Sequence, residues 1–240
     1  EIWTDAPEVT LSADVKSEGT APEVSWEQLE GPSVVSFAAP GQARTKVSLP
    51  RTGDYRFLVR ADDGRYWRTS RTAVHRLEPG TRAVRAWDFS RNLDAEGWAF
   101  DGLGTVEEKF YNPYTFATPV HDVVGDYFVL AVKNATAACL TSSENLAITG
   151  GAGVELVVCM QNHTDSSRMR VLMLPEGETD WAGAQTAEFA VNALEVGDTV
   201  YRVPLAFDGR LYRLRLDFSA DGTPITGTVR IDYMVVTARR

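Results

Sequence analysis

Apolar and polar residues alternate along most of this 240-residue chain, in short runs separated by Gly, Pro or charged turns. In the first third the runs are Val9–Asp14, Glu23–Glu27, Val34–Ala38, Thr45–Leu49, Tyr55–Ala61 and Arg71–Arg76. Their spacing of roughly 8–12 residues is that of small β-sandwiches. From Val84 onward the clearest runs are Tyr127–Val132, Gly153–Met160, Met169–Leu174, Thr199–Leu205, Leu211–Phe218 and Thr228–Thr237. Val, Ile, Leu, Tyr and Phe dominate them, as half-buried pleated surfaces favour. No window of about 12 residues carries the apolar period of a helix, which argues against the α/β classes. The pattern breaks at Leu77-Glu78-Pro79-Gly80-Thr81, where Pro and Gly punctuate the chain. It therefore predicts an all-β chain of two sandwiches, residues 1–81 and 82–240.

Composition narrows the partners. Apolar content of 44%, with 10% aromatic, is enough for two real cores. The net charge is -9, and it is unevenly placed. Residues 1–82 hold 11 basic and 12 acidic side chains, whereas the remainder holds 13 and 21. Such a chain lacks the basic footprint of a nucleic-acid binder. Its long-range field favours neutral ligands over sulfated or uronic polymers unless an Arg cluster acts locally. No apolar run approaches the ~20 residues that cross a bilayer. The chain opens at Glu1 with no signal-peptide pattern, and so reads as a processed protein or a piece of a larger one. Cys139 and Cys159 fall in neighbouring predicted strands, where a disulfide and two buried thiols are equally open readings.

Two sets of motifs carry resemblances. Thr52-Gly53-Asp54-Tyr55-Arg56-Phe57 through Ala61-Asp62-Asp63-Gly64 follows Trp26, Gly31-Pro32 and Phe37. This resembles the G-x-Y-x-F…A-x-D-G signature of PKD-type and related Ig-like repeats of secreted bacterial proteins. Where those repeats usually carry W-D-F-G-D-G, this chain has Trp26-Glu27-Gln28-Leu29-Glu30-Gly31. The resemblance is thus to a PKD-related, Ig-like β-sandwich, with Tyr55 as its tyrosine corner.

The second set opens with Ala86-Trp87-Asp88-Phe89 and Glu96-Gly97-Trp98. It closes with Tyr201-Arg202-Val203-Pro204-Leu205, Leu214-Arg215-Leu216-Asp217 and Ile231-Asp232-Tyr233. This resembles the jelly-roll, galactose-binding-like carbohydrate-binding modules. The resemblance implies a β-jelly-roll with Trp87 and Trp98 in its core. It also implies a structural calcium joining the opening and closing strands, with Asp88 and Asp232 as its carboxylates, since Ca²⁺ accepts hard oxygen ligands flexibly. In function it implies non-catalytic binding of a polysaccharide or oligosaccharide by a secreted, monomeric bacterial module. Such a module would target a catalytic module of the same parent chain to its substrate.

The remaining chemistry agrees with a protein that is no enzyme. His75, His121 and His163 stand far apart, and there is no G-x-S-x-G, H-E-x-x-H, phosphate-cradling glycine loop or C-x-x-C. Sugar rings stack an apolar face on aromatics, and their hydroxyls need planar polar partners. Lys109–Pro119 packs aromatics between prolines, and Tyr111, Tyr114 and Phe116 there form a candidate platform. Trp181 sits in a polar turn, and Arg168 and Arg170 share one strand face, fit for bidentate contacts. The segment after Tyr127–Val132 is Ala137-Ala138-Cys139-Leu140, which is small and smooth. A loop-end site near Tyr111, Tyr114, Phe116 and Trp181 is therefore expected. The alternative reading is a purely structural pair of spacer or protein-interaction domains on a cell surface.

Overall fold

The computed structural model describes residues 1–16, 21–91, 94–101, 121–123 and 127–240. The chain divides into two compact units, Glu1–Ala83 with Arg240, and Val84–Arg239.

The first unit contains β1 (Ile2–Thr4), β2 (Glu8–Ser12), β3 (Glu23–Glu30), β4 (Ser36–Phe37), β5 (Arg44–Ser48), β6 (Gly53–Asp62) and β7 (Trp67–Arg76). One sheet runs β1-β7-β6-β3 and the other β2-β5-β4. Strand β1 pairs in parallel with β7. Alternation decides the core: Tyr55, Phe57 and Val59 of β6 turn inward to meet Leu11, Trp26, Val47 and Val74. The tyrosine corner is present. Tyr55 donates to the Arg51 carbonyl at 2.7 Å and accepts from the Arg51 amide at 3.1 Å. Gly31 makes room for it, because a Cβ there would lie 2.7 Å from the Tyr55 ring.

His75 is the buried charge of this unit, 4% exposed. Its Nδ1 lies 2.8 Å from Asp54 and its Nε2 3.0 Å from Glu1, and its ring stacks on Trp3 at 3.8 Å. Burial alone would lower the imidazole pKa. The hydrogen bonds and charges of the two carboxylates outweigh it and raise the value from 6.5 to about 9.

The second unit is built from β8 (Thr81–Trp87), β9 (Ala99–Asp101), β10 (His121–Val123), β11 (Phe128–Ala135), β12 (Cys139–Thr141) and β13 (Ile148–Thr149). It continues with β14 (Glu155–Asn162), β15 (Arg168–Pro175), β16 (Gln185–Ala190), β17 (Thr199–Pro204), β18 (Arg210–Asp217) and β19 (Ile225–Arg239). Among the described residues the only helical element is one 3-10 turn, Trp181–Gly183. None is long and apolar enough to cross a membrane.

Two sheets form the sandwich. One runs β10-β11-β19-β14-β17 with β8 also on β19, and the other β16-β15-β18-β12-β9 with β13 also on β18. Leu156, Val158 and Met160 of β14 meet Met169, Val171 and Met173 of β15 and Leu214 and Leu216 of β18 in one core. Trp87 and Trp98 are buried there, edge to face at 5.1 Å, as the resemblance implied. The fold is all-β: an Ig-like sandwich and a jelly-roll sandwich. The spacing of Gly227 in β19 shows why no other residue serves, since a Cβ at its φ of 133° would run into the His163 carbonyl.

One expectation needs correction. Cys139 and Cys159 do not lie on neighbouring strands. Cys139 is on β12 of one sheet and Cys159 on β14 of the other, and both are buried thiols with no disulfide between them. Their neighbours Leu140, Val158 and Met160 point into the core, so the two cysteines point away from it on opposite sides. Facing sheets stand about 10 Å apart, beyond the ~7 Å Cα limit of a disulfide.

Candidate functional site

The outward face of the β15–β18 pair concentrates the polar chemistry of the second unit. The antiparallel register sets Arg170 opposite Asp217, Leu172 opposite Arg215 and Leu174 opposite Arg213. Because Met169, Val171, Met173, Leu214 and Leu216 face the core, this whole set must face outward. β16 adds Glu188 beside Arg170, and β12 adds Cys139 beside Asp217.

Asp217 is the hub. It is 6% exposed and accepts from Arg170 Nε through Oδ2 and from Arg215 Nε through Oδ1, each at 2.9 Å. One buried carboxylate thus joins two guanidiniums, with the satisfied lone pairs that burial demands. Burial works against the charge of Arg215, but contacts with Cys139 and Asp217 outweigh it and raise its pKa. Arg213 is tied through Nε to the Ser142 carbonyl at 3.2 Å.

Trp181 completes the face. It begins the 3-10 turn between β15 and β16, which Asp180 caps by accepting from the Ala182 amide at 3.0 Å. Its half-buried ring lies 5.7 Å from the Arg215 guanidinium carbon and 5.9 Å from that of Arg213. Cation–π contacts of this kind are worth roughly 0.5–2 kcal/mol and hold both partners in place.

The residues expected from sequence distribute unevenly. Arg170 and Trp181 belong to one assembly, linked through Asp217 and Arg215. Arg168 is on the same face but pairs with Glu188 at 3.0 Å in an exposed ion pair. Tyr111, Tyr114 and Phe116 lie outside the described residues. Trp181 is in the turn between β15 and β16, with its ring beside Arg213 and Arg215 of β18. Arg213, Arg215 and Asp217 were not among the expected site residues. Their signal was the alternation Arg213-Leu214-Arg215-Leu216-Asp217, which puts three charges on one strand face.

Asp88 and Asp232, the carboxylates expected to hold calcium, occupy two special positions. Asp88 follows β8, where its Oδ1 accepts from the Ser90 amide at 3.0 Å while its own amide donates to Glu96 at 2.8 Å. Burial, and then the charge of Asp88, raise the Glu96 pKa. Asp232 is the extra residue of a β-bulge in β19, between Tyr233 opposite Cys159 and Ile231 opposite Met160. Among the described residues no group of three or more His, Cys, Asp or Glu converges to hold a metal. A calcium here would take Asp88 and Asp232 together with backbone carbonyls.

No family model matches the chain. No curated protein matches it either. Solved structures give distant likenesses. A PKD domain from the KIAA 1837 protein is 19% identical, covering 32% of this chain and 78% of its own, with a TM-score of 0.29. A structure described as BiXyn10A CBM1 is 13% identical, covering 66% of this chain and 99% of its own, with a TM-score of 0.44. A family 29 carbohydrate-binding module is 14% identical, covering 65% and 89%, with a TM-score of 0.38. None of these three reaches a TM-score of 0.5, so none bears on what this chain binds.

Proposed function

We propose that the second unit is a non-catalytic carbohydrate-binding module and that the outward β15–β18 face is where it holds its glycan. The observation that carries this reading is the seating of Trp181 beside Arg213 and Arg215 on a sheet whose guanidiniums are already fixed by Asp217 and Ser142. A half-buried indole offers a sugar its stacking surface. Immobilised guanidiniums offer hydroxyls their planar donors without a further cost in side-chain entropy. In this reading the chain is secreted and monomeric, and it targets an associated glycoside-active enzyme to its substrate. Individually weak contacts gain working affinity by tethering. Calcium would be a structural ion at Asp88 and Asp232, and chelation with EDTA is expected to lower the melting temperature of the second unit without abolishing binding at low temperature.

The test is binding of the chain to an array of plant, algal and microbial polysaccharides, repeated with Trp181→Ala. At least one hit is expected, weakened tenfold or more by the substitution. Hits that Trp181→Ala leaves unchanged would move the site elsewhere.

One observation favours the alternative of structural spacer domains. Among the described residues the widely exposed aromatics are Tyr66 and Trp67, at 71% and 58%, and both belong to the first unit. Silence of the intact chain across the array would support that alternative.

A further inference from the structure

The charge of the β15–β18 face runs against that of the protein. The chain carries a net charge of -9, yet this face holds Arg168, Arg170, Arg213 and Arg215 against Glu188 and Asp217. Arg168 and Glu188 neutralise one another at the exposed end. On β15 and β18 themselves the inner group is then three guanidiniums to one carboxylate. Asp217 is shared by Arg170 and Arg215, and Arg213 has no carboxylate within 4.0 Å among the described residues. Of the three acids just before Trp181, Asp180 accepts from the Ala182 amide and Glu176 pairs with Arg210 at 3.5 Å, while Glu178 is exposed to solvent.

The way these arginines are held matters more than their number. All three are anchored through Nε: Arg170 and Arg215 to Asp217, and Arg213 to the Ser142 carbonyl. Nε is the donor nearest the stem, so anchoring it fixes the plane of the guanidinium and leaves the two Nη groups at its outer end. The Nη groups of Arg170 and Arg213 make no hydrogen bond within the described residues. An Nη pair presents two parallel N–H donors that match the two oxygens of a carboxylate. A neutral glycan would leave this surplus of charge unmatched. Strongly hydrated lysines would tolerate that in solvent, but arginines pinned beside a half-buried indole gain most from an anion that arrives with a stackable ring.

We infer that the glycan held at this face is acidic, and that its recognised unit is a hexuronate: the pyranose ring stacks on Trp181 while its carboxylate is taken by the Nη groups of Arg213 and Arg170 or Arg215. This rests on the proposed function and narrows its ligand class. It also resolves the opposition between the charge of the chain and an anionic ligand. At physiological salt the field of the distant acids is screened beyond about 8–10 Å, so an anion that comes within that range of the face meets chiefly the arginines.

The experiment uses the intact chain with matched polymers. Homogalacturonan, alginate and glucuronoxylan oligosaccharides are titrated, each beside its carboxyl-reduced form, which keeps ring and linkage and removes the charge. Neutral β-glucans and a sulfated galactan that carries no uronate complete the set. The expected result is binding to at least one uronate, weakened at least tenfold by carboxyl reduction, by Arg213→Ala and by Trp181→Ala, with a marked loss on raising salt. Circular dichroism checks that each variant keeps its strands, and Arg213→Lys, which retains charge without the fork, is expected to recover only part of the affinity. Tight binding to a neutral glucan that is insensitive to Arg213→Ala but sensitive to Trp181→Ala would overturn the uronate assignment and leave the binding face standing. Preference for the sulfated polymer over every uronate would also overturn it. Absence of binding to any polymer would remove the face and the uronate together.

Discussion

Among the described residues each unit buries a charged cluster, and the two clusters are inverses of one another. In the first, a single cation, His75, lies between two carboxylates, Asp54 and Glu1. In the second, a single carboxylate, Asp217, lies between two cations, Arg170 and Arg215. In the first the shared group is the closed one: His75 is 4% exposed and stacked on Trp3, while the Asp54 side chain beside it is 35% exposed. The second is half open, with the Arg170 side chain 36% exposed and a tryptophan over Arg215. The same physics of paired burial therefore yields a pH-dependent staple in one sandwich and a positioned recognition surface in the other.

The sharpest way to break this contrast is to remove the hub of the second cluster. Asp217→Ala leaves two guanidiniums facing one another over a buried position. Deleting one partner of a buried ionic group costs about 3–5 kcal/mol, and partial exposure of the arginines brings the expectation here to about 3. The second unit should melt well below the wild type while the first is unchanged. A shift under about 1 kcal/mol would mean that Asp217 does not organise the face.

The first cluster is tested by pH. A histidine whose folded pKa is raised stabilises the native state fully below its ordinary value of 6.5, and that stabilisation is lost as pH climbs through about 9. At about 1.4 kcal/mol per unit the effect is at most about 3 kcal/mol, and smaller because the Asp54 side chain is 35% exposed. The melting temperature of the first unit should fall between pH 6.5 and 9, and His75→Gln should flatten that slope. The second unit, held by Arg and Asp, should show no matching transition there. Parallel slopes in wild type and His75→Gln would refute the staple.

Much of this architecture was legible in the sequence, for a specific reason. Strand β6 alternates in burial from Tyr55 to Val59, so one face declares the core, and β15 does so over Arg168–Val171 before its run of four buried apolar residues. Tyr55, Trp87 and Trp98 were placed by motif and lie where the motifs implied. Strand β16 was missed because Gln185-Thr186-Ala187-Glu188-Phe189-Ala190 alternates without large apolar residues at most inward positions. The candidate site was harder. Arg168 and Arg170 were visible as a pair, but nothing local says that Arg170 meets Asp217, 47 residues away, rather than solvent. Register across β15 and β18 creates that contact, and register is set by the core on the hidden face. The two cysteines mislead for the same reason: proximity in a list of strands is not proximity in a sandwich.

Smaller perturbations grade the open cluster from its centre to its rim. Arg170→Met leaves Asp217 with Arg215 and keeps the aliphatic stem, so about 1 kcal/mol is expected, discounted because the guanidinium is half in water. At the rim, Arg168 and Glu188 pair at 3.0 Å with side chains 63% and 48% exposed. Exposed pairs of this kind contribute little, because solvent screens the attraction and ordering two long side chains costs entropy. Arg168→Ala is therefore expected to shift the melting temperature of the second unit by less than the equivalent of ~0.5 kcal/mol, and to leave titrations with uronate oligosaccharides within about twofold of the wild type. Only the arginines tied through Nε to Asp217 or Ser142 have the fixed geometry that recognition requires. A loss at Arg168 as large as that at Arg213 would show that the face works by summed charge, and the distinction between a positioned cluster and a merely basic surface would collapse.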